Sequence, residues 1–234
     1  YELYEKYGVR RYGFHGTSHR YVSARALEFL GMKAEGTKVV TAHIGNGGSL
    51  AAVVDGKCVD TTMGLTPLEG VMMGTRSGDI DGGAVAFIQK KLGLDADGIS
   101  DLLNKKSGIA GLTGLSSDMR DIENAANAGN ERAQIAQDSY FYRIKKYVGA
   151  YAAAMGGIDV LVFTAGVGEN QTPMREDVCR GLEFMGIKID AEKNAKIRGE
   201  EAIISTPDSR VKVVVIPTDE ELMIASDTMA LISK

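Results

Sequence analysis

The order of elements predicts an α/β fold: a mixed sheet with helices on its faces and extra helices inserted after the third strand. Three observations carry this. Three β-branched or apolar runs follow one another between residues 37 and 62, an amphipathic helical pattern runs from 133 to 155, and strands alternate with helices from there to the end.

Thr17 and Ser18 are the expected caps of a helix that continues through Val22, Ala26 and Phe29 and stops at Gly31. Strands are expected at Thr37–Ala42, Ser49–Asp55 and Lys57–Thr62, with Asp55-Gly56 as the hairpin signal between the last two. A polar, glycine-rich passage from Met63 to Gly83 follows, then two short amphipathic helices at Ala84–Leu92 and Ile99–Lys106. Ala133, Ala136, Tyr140, Ile144, Val148, Tyr151 and Met155 form one apolar helix face over roughly six turns, ended by Gly156-Gly157. Beyond it lie a strand at Ile158–Thr164, a helix at Pro173–Met185 with Pro173 in its first turn, and strands at Ala202–Ser205 and Val211–Ile216. In the last helix Leu222, Ala225, Met229 and Ile232 read as the buried stripe.

At 234 residues the chain can bury a sizeable core in one large domain or two small ones, and 44% hydrophobic with 25% charged residues is ordinary for a globular protein. The 27 basic and 31 acidic residues give a net charge of −4 without a basic cluster, which argues against nucleic acid as a partner. No window approaches the ~20 apolar residues of a membrane span, so no membrane partner is expected. Cys58 and Cys179 lack metal or redox spacing and read as buried free thiols in a reducing compartment, the cytoplasm. The start at Tyr1 on a polar segment, without an initiator Met, reads as a cut between domains.

Two glycine-rich turns point to chemistry. His43-Ile44-Gly45-Asn46-Gly47-Gly48-Ser49 leads from one strand into the next, and Gly166-Val167-Gly168-Glu169-Asn170 follows the apolar run Val160–Phe163. Turns of this kind expose backbone N–H groups to an anion, and two of them suggest a nucleotide cleft.

Together with Arg11–His19, Met73–Asp79 and Asp118-Met119-Arg120, these blocks resemble, in order, the signature segments of the acetate kinase family. The resemblance covers the whole chain but only the C-terminal part of that family's sequence. It implies a ribonuclease H-like, actin-like domain that binds nucleotide and forms a homodimer, with the N-terminal domain absent. It also implies reversible phosphoryl transfer between ATP and acetate, giving acetyl phosphate and ADP with Mg²⁺ or Mn²⁺. A propionate or butyrate kinase, and a nucleotide-binding or dimerisation module without catalysis, are the other readings.

Carried over by residue, the resemblance makes His15 and Arg76 catalytic, as groups that stabilise the phosphoryl transition state. It places His43, Ile44, Gly45, Asn46 and Gly47 at the phosphates. Asp118, Met119 and Arg120 fall at the adenosine, Gly166, Val167, Gly168, Glu169 and Asn170 on a second nucleotide segment, and Glu220 at the metal. The family's active-site aspartate, a substrate-contacting arginine, a second metal-associated asparagine and a nucleotide-contacting lysine belong to the absent part. The residue types suit this chemistry, since phosphoryl transfer has a loose, highly charged transition state, and a guanidinium offers a permanent charge and a planar fork.

Plainer readings stand beside these. Arg76 would otherwise pair with Asp79 or Asp81 at the surface, His43 would be core packing, and His19 caps or packs within its helix. Asn46 combines a side-chain donor with tolerance of a left-handed turn. Asp118 is equally a helix cap, Glu169 a first-turn charge, and Asn170 the cap of the next helix. Asp219 stands where the family commonly has Asn. Tyr140, Tyr142, Tyr147 and Tyr151 serve either the core or a subunit contact.

Overall fold

The structure is a computed structural model that describes residues 1–233. It divides into two compact units. The first comprises Tyr1–Gly13, Asn46–Gly48 and Thr62–Arg143, and the second comprises Phe14–Gly45, Ser49–Thr61 and the chain from Ile144 onward.

The second unit holds the sheet. Its strands are β1 (Lys38–Ile44), β2 (Gly48–Val54), β3 (Lys57–Thr61), β4 (Val160–Thr164), β5 (Ala202–Ile203) and β6 (Lys212–Val215), in the spatial order β3-β2-β1-β4-β6-β5. β2 and β3 are antiparallel, as Asp55-Gly56 predicts; both residues take the positive φ, 53° and 73°, of a tight hairpin turn. The link from β1 to β2 is too short for a parallel crossover, so these neighbours are antiparallel too. β1, β4 and β6 run parallel, in register Val39↔Val160 and Val160↔Lys212. An antiparallel meander continued by parallel strands is the ribonuclease H-like, actin-like order that the resemblance implies.

β1 and β4 are buried on both faces, which is why they read as continuous apolar runs and not as alternation. Helix α2 (Gly16–Leu30) lays Val22, Ala26 and Leu27 on Val39, Val160 and Val162. It ends at Gly31 as expected, but Thr17 and Ser18 do not cap it. The N-cap is His15, at φ 57°, and Ser18 sits inside the helix with its hydroxyl turned to other partners. Cys179 is buried as read, whereas Cys58 is exposed because β3 is the edge strand.

The first unit contains no strand of its own beyond Gly48. It has α1 (Glu2–Tyr7), α3 (Gly82–Leu92), α4 (Ala96–Lys105), α5 (Gly108–Thr113) and α6 (Met119–Asn127). The long helix α7 (Glu131–Met155) begins in this unit and ends in the other. All seven residues of its expected apolar face are buried, Tyr140 and Tyr151 among them, while Tyr142 is 61% exposed. The passage from Met63 forms no regular element through Gly78, yet Met63, Val71 and Met73 are completely buried.

The expected helix at 173–185 is shorter, α9 (Thr172–Cys179), followed by a 3₁₀ turn at Glu183–Met185; Gly181, at φ 83°, breaks it. Short α10 (Ala191–Asn194) precedes β5. The last helix, α11 (Glu220–Ile232), has no buried residue: Leu222, Met229 and Ile232 are 51%, 59% and 73% exposed. Its contacts run to α2, joined by the exposed ion pair of Arg20 with Asp227, and no sheet face receives the stripe.

Candidate functional site

In the second unit, His15 and His43 come together. His43 is the next-to-last residue of β1, His15 caps α2, and their rings stack at 4.0 Å between centroids with planes 17° apart. His19 meets both edge-on. Burial, reinforced by the neighbouring rings, lowers the pKa of His19 and His43 to about 3, so both are neutral near pH 7. The two neutral rings have their Nδ1 atoms on hydroxyls: His43 on Ser18 at 2.8 Å and His19 on Thr41 at 2.7 Å. His19 is thus a packed, fully partnered side chain, in line with its plainer reading.

The second glycine segment is not a turn. It is a short helix, α8 (Ala165–Asn170), entered through Ala165 at φ 65°. Glu169 Oε1 accepts from the Ala165 N–H at 2.7 Å and from the Thr218 N–H at 3.2 Å, so one carboxylate holds the end of β4 to the segment after β6. Asn170 does not cap the next helix; its side-chain amide donates back to Gly166 O, and Gln171 holds the N-cap position of α9 without a side-chain cap bond. Gly166 is exposed with open space over its Cα, whereas Gly168 packs against Ala42 and Ile44 of β1. Behind them Arg175, fully buried, donates to Gly168 O, Glu169 O, Asn194 Oδ1, Asn194 O and Ile197 O. Burial pulls its pKa down to about 10, which leaves it charged at neutral pH.

Asp219 caps α11 by accepting from the Leu222 N–H at 2.8 Å, and Glu220 is the first helical residue. No group of three or more metal-ligating side chains occurs among the described residues.

In the first unit, three distant stretches of sequence converge on Gly74. Its N–H donates to Asn46 O, and a Cβ built there would lie 2.7 Å from Asn46 Oδ1 and 3.1 Å from Ser117 O. Only glycine lets Asn46, the arginine segment and the stretch before Asp118 approach so closely. Arg76 lies two residues on. Its Nη1 donates to Pro67 O at 2.9 Å and lies 3.7 Å from Met73 Sδ, and it makes no ion pair with Asp79 or Asp81 among the described residues. Its backbone packs on Gly108, at φ 62°, where a Cβ would stand 2.8 Å from Arg76 O. Asp118 caps α6, accepting from the Arg120 N–H, and the Arg120 guanidinium holds its carboxyl down to about 2. Met119 is buried and Arg120 exposed. A cavity of about 540 Å³ in this unit, lined by Ser77, Asp79, Lys106 and Arg143 among others, includes none of the expected site residues.

A family model described as the acetokinase family matches residues 1–226. The chain belongs to the acetokinase family. Curated acetate kinases of Bacteroides thetaiotaomicron and Bacteroides fragilis are 70% and 71% identical to it over all 234 residues, which make up 59% and 58% of their lengths. A crystal structure of Porphyromonas gingivalis acetate kinase matches 99% of the chain with a TM-score of 0.97 at 62% identity, using 58% of that protein. A propionate kinase of Francisella tularensis subsp. tularensis matches 97% with a TM-score of 0.90 at 43% identity, using 57%. This acetokinase-family chain therefore spans somewhat over half the length of its relatives.

Within the units of this acetokinase-family chain, the structure joins His15 to His43 and Gly168 to Ile44, and it joins Asn46 to the segments that carry Arg76 and Asp118. No site role is legible in the sequence for Ser18, Thr41, Ser49, Gly74, Arg175 or Thr218. Ser49 comes nearest to one, since it closes the glycine turn that marks the site. Arg175 does not, because an arginine in a helix carries no sign that its charge is buried.

Proposed function

We propose that the chain is the nucleotide-binding portion of a phosphotransferase that moves the γ-phosphoryl group of ATP to acetate, giving acetyl phosphate and ADP reversibly. The observation that carries this reading is the 70% identity with curated acetate kinase along the entire chain.

The side chains support it one by one. Arg76 spends one nitrogen on a carbonyl and makes no ion pair among the described residues, which leaves its charge for phosphoryl oxygens, as such a transition state needs. His15 is partly buried beside the neutral, buried His43, a placement that suits the phosphoryl-stabilising role the family resemblance gives it. His43, Ile44, Gly45, Asn46 and Gly47 are read as the phosphate segment, with Gly166, Val167, Gly168, Glu169 and Asn170 as the second nucleotide segment. Asp118, Met119 and Arg120 are read at the adenosine, although the Asp118 carboxylate is already shared between its cap and Arg120.

The metal assignment rests on Glu220. With Asp219 occupied as a cap, Glu220 is the family-matched carboxylate, which fits a Mg²⁺ or Mn²⁺ ion carried mainly by nucleotide phosphates and water and not by a protein cage. Such an ion would neutralise phosphate charge. Exposed Tyr142 and Ile135 on α7 support a homodimer formed through this portion. No described helix is long and apolar enough to cross a membrane, which agrees with a cytoplasmic setting without requiring it. The propionate kinase match favours a second reading, in which the acyl group is longer by one carbon.

The test joins this chain to the N-terminal portion of the Porphyromonas gingivalis enzyme and follows acyl phosphate formation from acetate and from propionate. The fusion should turn over, and Arg76→Ala should cut kcat by roughly 10²–10³-fold. The chain alone should bind ATP weakly and form little acetyl phosphate. An inactive, folded fusion would sink the kinase reading, and vigorous turnover by the isolated chain would sink the claim that it is only a portion.

A further inference from the structure

Ser49 lies between two histidines. Its Oγ is 2.8 Å from His15 Nδ1 and 2.7 Å from His19 Nε2, and the other nitrogen of His19 is 2.7 Å from Thr41 Oγ1. Ser49 and Thr41 are completely buried and His19 is 4% exposed. A hydroxyl carries one proton, and a neutral imidazole has one N–H and one acceptor nitrogen. The proton positions along this row are therefore not independent.

His19 is kept neutral by burial, with His43 and His15 adding to the effect. Thr41 Oγ1 has only His19 as a partner among the described residues, so its proton goes to His19 Nδ1; any other direction strands a buried donor. His19 then carries its own proton on Nε2 and donates it to Ser49 Oγ. Ser49 donates in turn to His15 Nδ1. With Nδ1 accepting, the His15 ring carries its proton on Nε2.

We propose that Thr41, His19 and Ser49 are positioning residues that fix His15 as its Nε2–H tautomer, so that the ring presents an N–H and not a lone pair. A second row has the same polarity. Thr218 Oγ1 donates to Ser18 Oγ at 2.8 Å, and Ser18 Oγ is 2.8 Å from His43 Nδ1, which makes His43 an Nε2–H ring as well. The stack thus carries two N–H donors suited to anionic oxygen. Their use on a phosphoryl group rests on the function proposed above; the tautomer does not.

Long-range proton–nitrogen correlation spectra of the nitrogen-15-labelled chain near neutral pH test this. The chain has 3 histidines, so His15→Gln, His19→Gln and His43→Gln variants assign every ring. His15 should show an unprotonated Nδ1 and a protonated Nε2. Ser49→Ala should lose that pattern and give averaged tautomers at His15 while His43 keeps its own, and Ser49→Thr should restore it. A wild-type His15 protonated on Nδ1 overturns the proposal, and so does a folded Ser49→Ala with His15 unchanged. If Ser49→Ala does not fold, the wild-type spectrum and Thr41→Val, which empties the far end of the row, decide. The spectra read ring nitrogens and not turnover, so this outcome and the fate of the kinase reading are separate.

Discussion

The two units hold their functional residues by opposite means. In the sheet unit, buried polar side chains do the holding: hydroxyls on histidine rings, Glu169 across two strand ends, and Arg175 on five acceptors. In the other unit the holding falls to absent side chains, with Gly74 and Gly108 letting backbone pass against backbone around Arg76. Each unit should therefore be intolerant of a different change. Adding one methyl should be worst where backbone is packed on backbone, and removing polar atoms should be worst where buried groups satisfy one another away from water.

The largest effect should come from Gly108→Ala. The residue has φ 62°, and the new Cβ would be driven into Met73 O and to 2.8 Å from Arg76 O, neither of which can rotate away. Left-handed strain of about 1–2 kcal/mol and overpacking of about 1–3 kcal/mol together give a loss of roughly 2–5 kcal/mol. Urea denaturation measures it, and a loss under about 1 kcal/mol would mean that this segment yields and that the contrast between the units is false.

Arg175→Ala is the counterpart in the sheet unit. It removes the donors of five buried acceptors; water admitted to the polar space left behind satisfies most of them, an acceptor that stays unsatisfied costs about 1–3 kcal/mol, and α8 should loosen with it. Hydrogen exchange at Val167–Asn170 should rise along with the loss of stability. Unchanged exchange there would show that α8 does not depend on Arg175.

These two sites also mark what the sequence can and cannot disclose. Strands β1 and β2 are legible as apolar or β-branched runs, the hairpin through Asp55-Gly56, and the apolar face of α7 because burial along one side of a helix leaves a period. Arg76 stands out through its glycine flanks. The shape of Gly166–Asn170 is not legible: glycines allow a turn, but the bond from Glu169 to the Ala165 N–H selects a helix, and that bond depends on three-dimensional closure. The hydroxyl partners of the histidines are hidden for the same reason, since serine and threonine look alike whether they cap, coat the surface or orient a ring. Only in α11 does a clear period mislead, because a period reports amphipathicity and not what lies opposite.

A smaller, pH-dependent effect comes from the histidine rings of the sheet unit. His19 and His43 have folded pKa values near 3, well under the ordinary 6.5. The unfolded chain therefore binds more protons, and stability is full above pH 6.5 and falls as the pH drops toward 3. Each ring contributes a slope of at most about 1.4 kcal/mol per pH unit in that window. Carboxylates held low, such as Asp118, act in the same direction at lower pH. Unfolding free energies between about pH 4.5 and 7 should therefore fall less steeply in His19→Gln than in the native chain, because one buried titrating ring is gone. Parallel curves for the two proteins would show that His19 is not kept neutral by burial.

The smallest effect is expected on α11, which both means of holding bypass. Leu222 and Met229 are more than half exposed, and the Arg20–Asp227 pair beside them is exposed on both sides, where such pairs contribute about 0–1 kcal/mol. Leu222→Gln should change the stability of the isolated chain by less than about 0.5 kcal/mol, against several for Gly108→Ala. A loss above about 1.5 kcal/mol in dilute solution would mean that the Leu222 face is covered after all. If that loss grew with protein concentration, the cover would be a second copy of the chain, since only association makes stability depend on concentration.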